Sequence, residues 1–150
     1  MSRFEGVINR GTEQRMSDTM SDDLKKYVDD NAVFATVATI QPDGSSQLSV
    51  VWIKRDGDDL LFSTTVGRRK EMNLRRDPRV TVMINPPEAP YTYAEIRGTA
   101  TLSFEGGPEL IEELSRKYTG KDYRDFNPAS KDDSQRVVVR ITPRKVVGSL

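Results

Sequence analysis

The residues best suited to chemistry are concentrated in one segment, residues 60–82, which reads LLFSTTVGRRKEMNLRRDPRVTV. Residues 60–65 have the composition of a β-strand that ends in three hydroxyl side chains. Gly67 interrupts the strand, and Pro78 ends the short helical pattern of residues 71–76. Positions 68 to 79 carry six cations against two acids: Arg68, Arg69, Lys70, Arg75, Arg76 and Arg79 against Glu71 and Asp77. Because the whole chain has 23 basic and 23 acidic residues, this excess is local.

This segment favours the binding of an anion, because it places hydroxyls, a glycine turn, cations and a helix start in succession. The free N–H groups and the dipole of a helix N-terminus attract negative charge, and phosphate is the usual partner. Arg68 adds a rigid fork of donors and Lys70 a compact charge. The segment therefore predicts a phosphate site, although a solvated basic helix flank would give the same pattern. The sequence contains neither Walker-loop spacing nor Gly-x-Gly-x-x-Gly.

Two residue types are missing from the composition, and each absence excludes a class of chemistry. Without cysteine there is no disulfide framework, thiolate metal site or cysteine nucleophile. Without histidine there is no Ser-His-Asp triad, histidine-ligated haem or usual zinc site. We therefore predict no metal site.

Charge and hydropathy predict the surroundings of the protein. The net charge of zero gives no general case for nucleic acid as a partner. No apolar run reaches the ~18 residues of a membrane span, and the polar N-terminus lacks the apolar core of a signal peptide. We expect a cytoplasmic protein that binds neither nucleic acid nor membrane.

Periodicity and turn residues divide the chain into an arm and one domain. Residues 1–16 are polar and aperiodic and are interpreted as a flexible N-terminal arm, which leaves residues 17–150 for the domain. Helices are predicted at residues 21–30, 71–76 and 109–118, and a polar loop at residues 121–135. Strands are predicted at residues 32–40, 47–54, 60–65, 80–84, 93–104 and 136–141, with residues 145–148 resuming the last strand beyond Pro143.

Short connections between neighbouring strands favour an antiparallel sheet. The sequences around Gly44 and Gly57 are β-turn signals, and Gly98 is expected at a bend or bulge. Residues 32–40 are almost continuously apolar, which predicts a strand buried on both faces. The predicted fold class is mainly β, a six-stranded antiparallel β-barrel with flanking helices.

Four segments resemble the pyridoxamine 5′-phosphate oxidase-like split β-barrel family. They are FATVATIQPDGSSQLSVVW, LLFSTTVGRRKEMNLRRDPRVTVMI, YAEIRGTATL and RVVVRITPRKVVG. The most specific motif is RxKxxNLxxDP, which begins at Arg68, and the resemblance extends over residues 21–148. Within the family the sequence is most similar to small oxidoreductases that use the deazaflavin coenzyme F420. The resemblance implies an FMN-binding-like split barrel that forms a homodimer, with cofactor sites at the subunit interface.

The resemblance also implies a role for each matching position. The cofactor phosphate is expected to contact Arg68, Lys70 and Asn73, which agrees with the anion site predicted above. The phosphate or ribityl chain is expected to accept hydrogen bonds from Ser63, Thr64 and Thr65. The deazaflavin ring is expected to lie along Ser49, Val50, Val51 and Trp52, largely against the backbone. Two tyrosines, Tyr91 and Tyr93, resemble positions of the partner chain that approach the ring or the substrate.

The function that the resemblance implies is hydride transfer from reduced F420 to a small conjugated or electron-poor substrate. With no histidine available, Tyr91, Tyr93 or a water is the candidate proton donor. The alternatives are an FMN-dependent enzyme of the same fold and a flavin- or F420-binding protein without turnover. Pyridoxamine phosphate is not the expected substrate, because the oxidases proper carry a C-terminal tryptophan–arginine motif and the only tryptophan here is Trp52. The site residues also have structural interpretations. A tryptophan in a strand, such as Trp52, is typical of a core or an interface, and Tyr91 and Tyr93 would also serve to pack their loop.

Overall fold

The structure is a computed structural model that describes residues 15–129 and 135–150. In these residues, four helices flank an antiparallel sheet of eight strands. The helices are α1 (Asp22–Asp30), α2 (Arg69–Arg76), α3 (Gly107–Thr119) and α4 (Tyr123–Phe126). The strands are β1 (Arg15–Ser17), β2 (Ala35–Ile40), β3 (Ser46–Val51), β4 (Lys54–Asp56), β5 (Asp59–Thr65), β6 (Arg79–Ile84), β7 (Ala94–Ser103) and β8 (Arg136–Gly148).

The strands are ordered β3-β2-β6-β7-β8-β5-β4, and β1 pairs with the end of β8. The long strand β8 is central, since it pairs with both β7 and β5. The register of β7 on β8 shifts between Arg97 and Gly98, as expected for Gly98. A Cβ atom at this glycine would lie 2.5 Å from the carbonyl oxygen of Thr142, so the close approach of the two strands requires glycine. The mainly β, antiparallel split-barrel fold is thus confirmed.

The expected number of six strands was wrong. One added strand is β1, and the other arises because the predicted strand 47–54 is divided into β3 and β4. The division lies at Ile53, whose N–H donates to the Tyr118 hydroxyl at 3.0 Å. The carbonyl oxygen of Ile53 accepts from Lys117 Nζ at 3.0 Å and from Tyr118 at 3.3 Å. These side chains occupy the main-chain groups that a continuous strand would pair with its neighbour. At the other end of the chain, residues 136–148 form one strand without interruption at Pro143.

The core lies between the inner face of the sheet and helix α1. Ser21 caps this helix by accepting from the Leu24 N–H at 3.0 Å, and Leu24 and Val28 are fully buried. Strand β2 alternates between buried and half-buried residues, so the expected burial of both its faces is wrong for the single chain. The largest fully buried side chains are Phe62, Leu24, Ile53, Leu60, Leu74, Ile84, Ile96, Leu114 and Ile141.

The two segments predicted to lack structure differ from that expectation where they are described. Residues 1–14 of the arm lie outside the described residues, but Arg15 and Met16 pair with Gly148 and Val147 and belong to the sheet. The predicted loop 121–135 contains helix α4, and its residues 130–134 are not described. In the described part of the chain, every helix is too short or too polar to cross a membrane.

Candidate functional site: a cationic cavity with an aromatic wall

The basic segment forms a fixed turn between β5 and α2. Gly67 has φ of 90°, a left-handed conformation that favours glycine over other residues. Its N–H donates to Glu71 Oε1 at 2.8 Å, which ties the turn to the first turn of the helix. Arg68 is the N-cap residue, and no side chain caps this helix. The turn therefore presents N–H groups of the helix start beside Arg68 and Lys70.

The cations at the end of the helix are occupied by partners within the chain. Arg75 donates to the buried carboxylate of Glu71, and Arg79 donates to Asp77 at 2.8 Å. Arg76 donates to the carbonyl oxygen of Ile40. Their charges hold the helix and the turn at Pro78 to the sheet.

The cations at the start of the helix differ from those at its end. Among the described residues, no side-chain hydrogen bond or ion pair reaches Arg68, Arg69 or Lys70. Lys70 is half-buried, and its pKa lies below the ordinary lysine value because burial disfavours the charged amine and Arg68 repels it. An anion bound here would offset both effects.

Arg68 and Lys70 line a cavity of about 310 Å³. This volume is at the lower end of the range for small-molecule sites. Arg136 supplies a third cation, and no carboxylate is found among the described residues of the lining. The lining consists of Val50, Val51, Trp52, Ser63, Thr64, Arg68, Lys70, Ile111, Leu114, Tyr123, Phe126 and Arg136.

A buried hydroxyl in the lining supports the fit of a polar ligand. Thr64 is 3% exposed, and its Oγ1 has no hydrogen-bond partner among the described residues. A buried hydroxyl without a partner loses free energy relative to water, and a ligand oxygen would restore the missing hydrogen bond. The cations Arg68 and Lys70 and the Thr64 hydroxyl are suited to bind a phosphate or a ribityl chain.

An aromatic group forms another wall of the cavity. The Trp52 indole stacks on Tyr118 at 5.3 Å with an interplanar angle of 14°, and Phe126 contacts it at 5.3 Å in a tilted arrangement. The Tyr118 hydroxyl donates to the Val33 carbonyl at 2.6 Å, which fixes the stack against the main chain. Beside this wall, Val50 is 65% exposed. A flat apolar ring would find a rigid surface here.

The cavity brings together seven of the residues predicted from the sequence and leaves out five. Its described lining contains the predicted Val50, Val51, Trp52, Ser63, Thr64, Arg68 and Lys70. It does not contain Ser49, Thr65, Asn73, Tyr91 or Tyr93. The Asn73 amide is fully buried and donates to Thr39 Oγ1 and Gln41 Oε1, both at 3.0 Å. Its side chain supports α2 against β2 and does not face the cavity, contrary to the expected phosphate contact.

The two tyrosines lie in the loop before β7. Tyr91 is 85% exposed, and the Tyr93 carbonyl oxygen accepts from the Ser149 N–H at 2.9 Å. The expectation that they reach the site of a partner chain stays a prediction.

Sequence reasoning missed five lining residues that come from α3, α4 and the start of β8: Ile111, Leu114, Tyr123, Phe126 and Arg136. Helix α3 was predicted, but not the sheet face on which it packs. Arg136 had a detectable signal, since a cation before the apolar run 137–139 marks the start of a strand. Its position beside the basic turn depends on the pairing of β8 with β5, which periodicity does not give.

The fold and the cavity together define a split β-barrel of the class that binds flavin-type cofactors. The pyridoxamine 5′-phosphate oxidase family matches residues 20–149, and the chain belongs to that family.

Solved structures agree with this assignment. An F420 reductase is 25% identical, with a TM-score of 0.74 over 85% of this chain and 98% of that chain. A conserved hypothetical protein from Mycobacterium tuberculosis is 27% identical, with a TM-score of 0.70 over 92% of this chain and 90% of that one. A pyridoxamine 5′-phosphate oxidase-related, FMN-binding protein from Nostoc punctiforme shares the fold at 18% identity and a TM-score of 0.55, over 77% and 72% of the two chains.

Proposed function

We propose that this protein is an F420-dependent oxidoreductase that reduces a small conjugated or electron-poor substrate. The observation that carries the proposal is the cavity in which Arg68 and Lys70 have no partner among the described residues. The similarity to an F420 reductase supports the choice of deazaflavin. When bound, the reduced cofactor supplies a hydride, and the protein supplies the surroundings in which the hydride is transferred.

The residues of the chain bind and orient the cofactor. Arg68 and Lys70 hold its phosphate by charge-assisted hydrogen bonds, and Ser63 and Thr64 hydrogen-bond the adjoining polar chain. The backbone of residues 50–52 lies along the ring, with the stacked Trp52 as a rigid support. Tyr91 or Tyr93 of a partner chain, or a water, completes the reduction by donating a proton.

FMN is the alternative cofactor, because it also presents a phosphate to the basic turn. The test is a fluorescence-quench titration of the apo-protein with F420 and with FMN. We expect F420 to bind at least about tenfold more tightly, a difference of about 1.4 kcal/mol. Equal or reversed affinities would replace the deazaflavin proposal with the FMN alternative.

Binding without turnover is the second alternative. The test is an assay in which a quinone or an α,β-unsaturated ketone oxidises reduced F420. The rate is measured from the recovery of deazaflavin absorbance. An acceleration by the protein that Lys70→Ala reduces supports an enzyme. Tight binding with no acceleration by any acceptor supports a carrier.

We further propose that the protein works as a homodimer. Val50, Thr36 and Met83 lie side by side on the outer face of β3, β2 and β6. Leu48 and Val50 are 64% and 65% exposed, so this face presents apolar side chains that the described residues leave uncovered. A second copy covers it in a two-fold arrangement, with an interface above roughly 2,000 Å². Sedimentation at micromolar concentration is expected to show a dimer, and a monomer would contradict both the dimer and a shared site.

A further inference from the structure

Arg136 reaches the cavity from the strand opposite the basic turn. It is the first residue of β8, and its register partner in β5 is Thr65. Thr65 lies three residues before Arg68, so the pairing of β5 with β8 brings Arg136 close to the start of the turn. Paired residues in antiparallel strands have Cα atoms about 4.5–5.5 Å apart. The cavity is therefore lined by cations from two places in the fold, the start of α2 and the start of β8.

Side chains at the cavity orient the guanidinium of Arg136. Its Nη2 donates to the Tyr123 hydroxyl at 2.6 Å, and its Nη1 lies 3.4 Å from Ser63 Oγ, which it can donate to. It also lies over the Tyr123 ring, with 4.8 Å between the guanidinium carbon and the ring centroid. These three contacts orient the guanidinium at the cavity that Arg136 lines together with Arg68 and Lys70.

Tyr123 is in turn fixed by helices α3 and α4. It is 8% exposed, and its N–H donates to Glu112 Oε1 at 3.1 Å. Its hydroxyl also accepts from Asn127 Nδ2 at 3.0 Å. The main chain of Arg136 is equally confined, because a Cβ at Gly107 would lie 2.7 Å from the Arg136 carbonyl oxygen. The cation and its support thus form one rigid unit.

We propose that Arg136 is a third cation of the anion site, and that Tyr123 is the positioning residue that aims it at the bound phosphate. This inference rests on the proposed function, since it assumes that the cavity binds a cofactor with a phosphate. Arg136 would contribute a charge-assisted hydrogen bond to the phosphate in addition to those from Arg68 and Lys70.

The test compares two ligands in charge-matched variants. The ligands are F420 and the ribityl deazaflavin that lacks the phosphate and its tail. The variants are Arg136→Gln and Arg124→Gln, because Arg124 is an exposed arginine of α4 outside the described lining. Arg136→Gln is expected to weaken F420 at least about tenfold and the phosphate-free ligand less than about twofold. Arg124→Gln is expected to leave both affinities nearly unchanged.

Two further variants separate positioning from folding. Arg136→Lys keeps the charge and is expected to recover part of the lost F420 affinity. Tyr123→Phe keeps the ring and removes the hydroxyl, so we expect a smaller F420-specific loss than in Arg136→Gln. If Arg136→Gln does not fold, as judged by circular dichroism, the F420-specific loss in Tyr123→Phe carries the test.

Each contradicting result has a distinct meaning. An Arg136→Gln protein that binds F420 as Arg124→Gln does, while Lys70→Ala binds weakly, overturns this inference and leaves the proposed function standing. An equal loss for both ligands also overturns it, since the arginine would then act on the fold of the cavity. Normal F420 binding by both Lys70→Ala and Arg136→Gln overturns the anion site itself.

Discussion

The two ends of helix α2 carry similar charges but use them differently. At the C-terminal end, Arg75 and Arg79 are paired with carboxylates, and Arg76 binds a main-chain carbonyl. At the N-terminal end, Arg68 and Lys70 face a cavity with no partner among the described residues. The difference shows that a local excess of positive charge becomes a candidate site only where the fold leaves it without partners.

The energetics of the two ends also differ. The largely exposed pair of Arg79 with Asp77 contributes little to the fold, whereas Arg75 neutralises the buried carboxylate of Glu71. The half-buried Lys70 costs free energy when it is charged, as the direction of its pKa shift indicates. Because the charged Lys70 does not benefit the stability of the fold, a bound anion is the simplest explanation for what offsets its cost.

The largest expected effect is on cofactor affinity, which alanine substitutions at the two ends of α2 should change by different amounts. Lys70→Ala and Arg68→Ala are each expected to weaken F420 binding about ten- to a hundredfold, because each loses a hydrogen bond to a charged group worth about 1.5–3 kcal/mol. Arg76→Ala, at the other end of the helix, is expected to weaken it less. Fluorescence titration measures the three affinities, and urea unfolding checks that Lys70→Ala leaves the stability almost unchanged.

The salt dependence of F420 affinity gives a second comparison between the wild type and the variants of the basic turn. Moderate salt is expected to weaken the wild type more than Lys70→Ala, because the variant has already lost a screened interaction. Arg69→Ala is the matched control, since Arg69 has the same charge but is absent from the described lining. Parent-like binding by Lys70→Ala and Arg68→Ala would make the basic turn a solvated surface.

The second prediction concerns Glu71, which connects the two ends. Burial opposes its charge, but hydrogen bonds from Arg75 and the Gly67 N–H outweigh burial and hold its pKa below the ordinary value. Glu71→Gln is expected to lower the free energy of unfolding by about 1–2 kcal/mol at pH 7 in urea titrations. Because the pKa is lowered in the folded state, this contribution is present above the unfolded pKa and disappears as the pH falls through the folded one. A variant as stable as the parent at pH 7 would show that the turn does not depend on this carboxylate.

The third and smallest effect is a pH dependence of cofactor affinity. Lys70 is charged below its lowered pKa and neutral above it, so affinity is expected to fall a few-fold as the pH rises from 7 through that pKa toward the ordinary lysine value. Lys70→Arg stays charged throughout this range and should remove that fall. The ratio of the two affinities, measured from pH 7 to the ordinary lysine pKa of 10.5, cancels any titration of the ligand. A constant ratio would show that the Lys70 charge does not contribute to binding.

Much of this arrangement was accessible from the sequence because it is local. The hydroxyls at the end of β5, the turn at Gly67 and the cations at the start of α2 are contiguous, and seven of the predicted lining residues meet in one cavity. The antiparallel barrel followed from short turns between apolar runs that have the composition of strands. The resemblance motif identified the family.

The remainder depends on long-range pairing that a single sequence does not specify. Asn73 has the spacing of a ligand, yet Thr39 and Gln41 of a distant segment occupy its amide. The division of the strand at Ile53 results from Tyr118 and Lys117, which lie more than sixty residues away. Arg136 enters the cavity only through the register of β8 on β5.

The most direct test of the central claim, that this cavity is the cofactor site, uses the fluorescence of Trp52. It is the only tryptophan of the chain and lies in the cavity wall, so its emission is expected to respond to a ligand bound in this cavity. Titration with F420 is expected to quench this emission to saturation, with the same dissociation constant as the absorbance change of the cofactor. Lys70→Ala should shift both curves together to higher concentration. Saturable binding seen in the cofactor absorbance without any change in Trp52 emission would place the site elsewhere on the barrel and contradict the account.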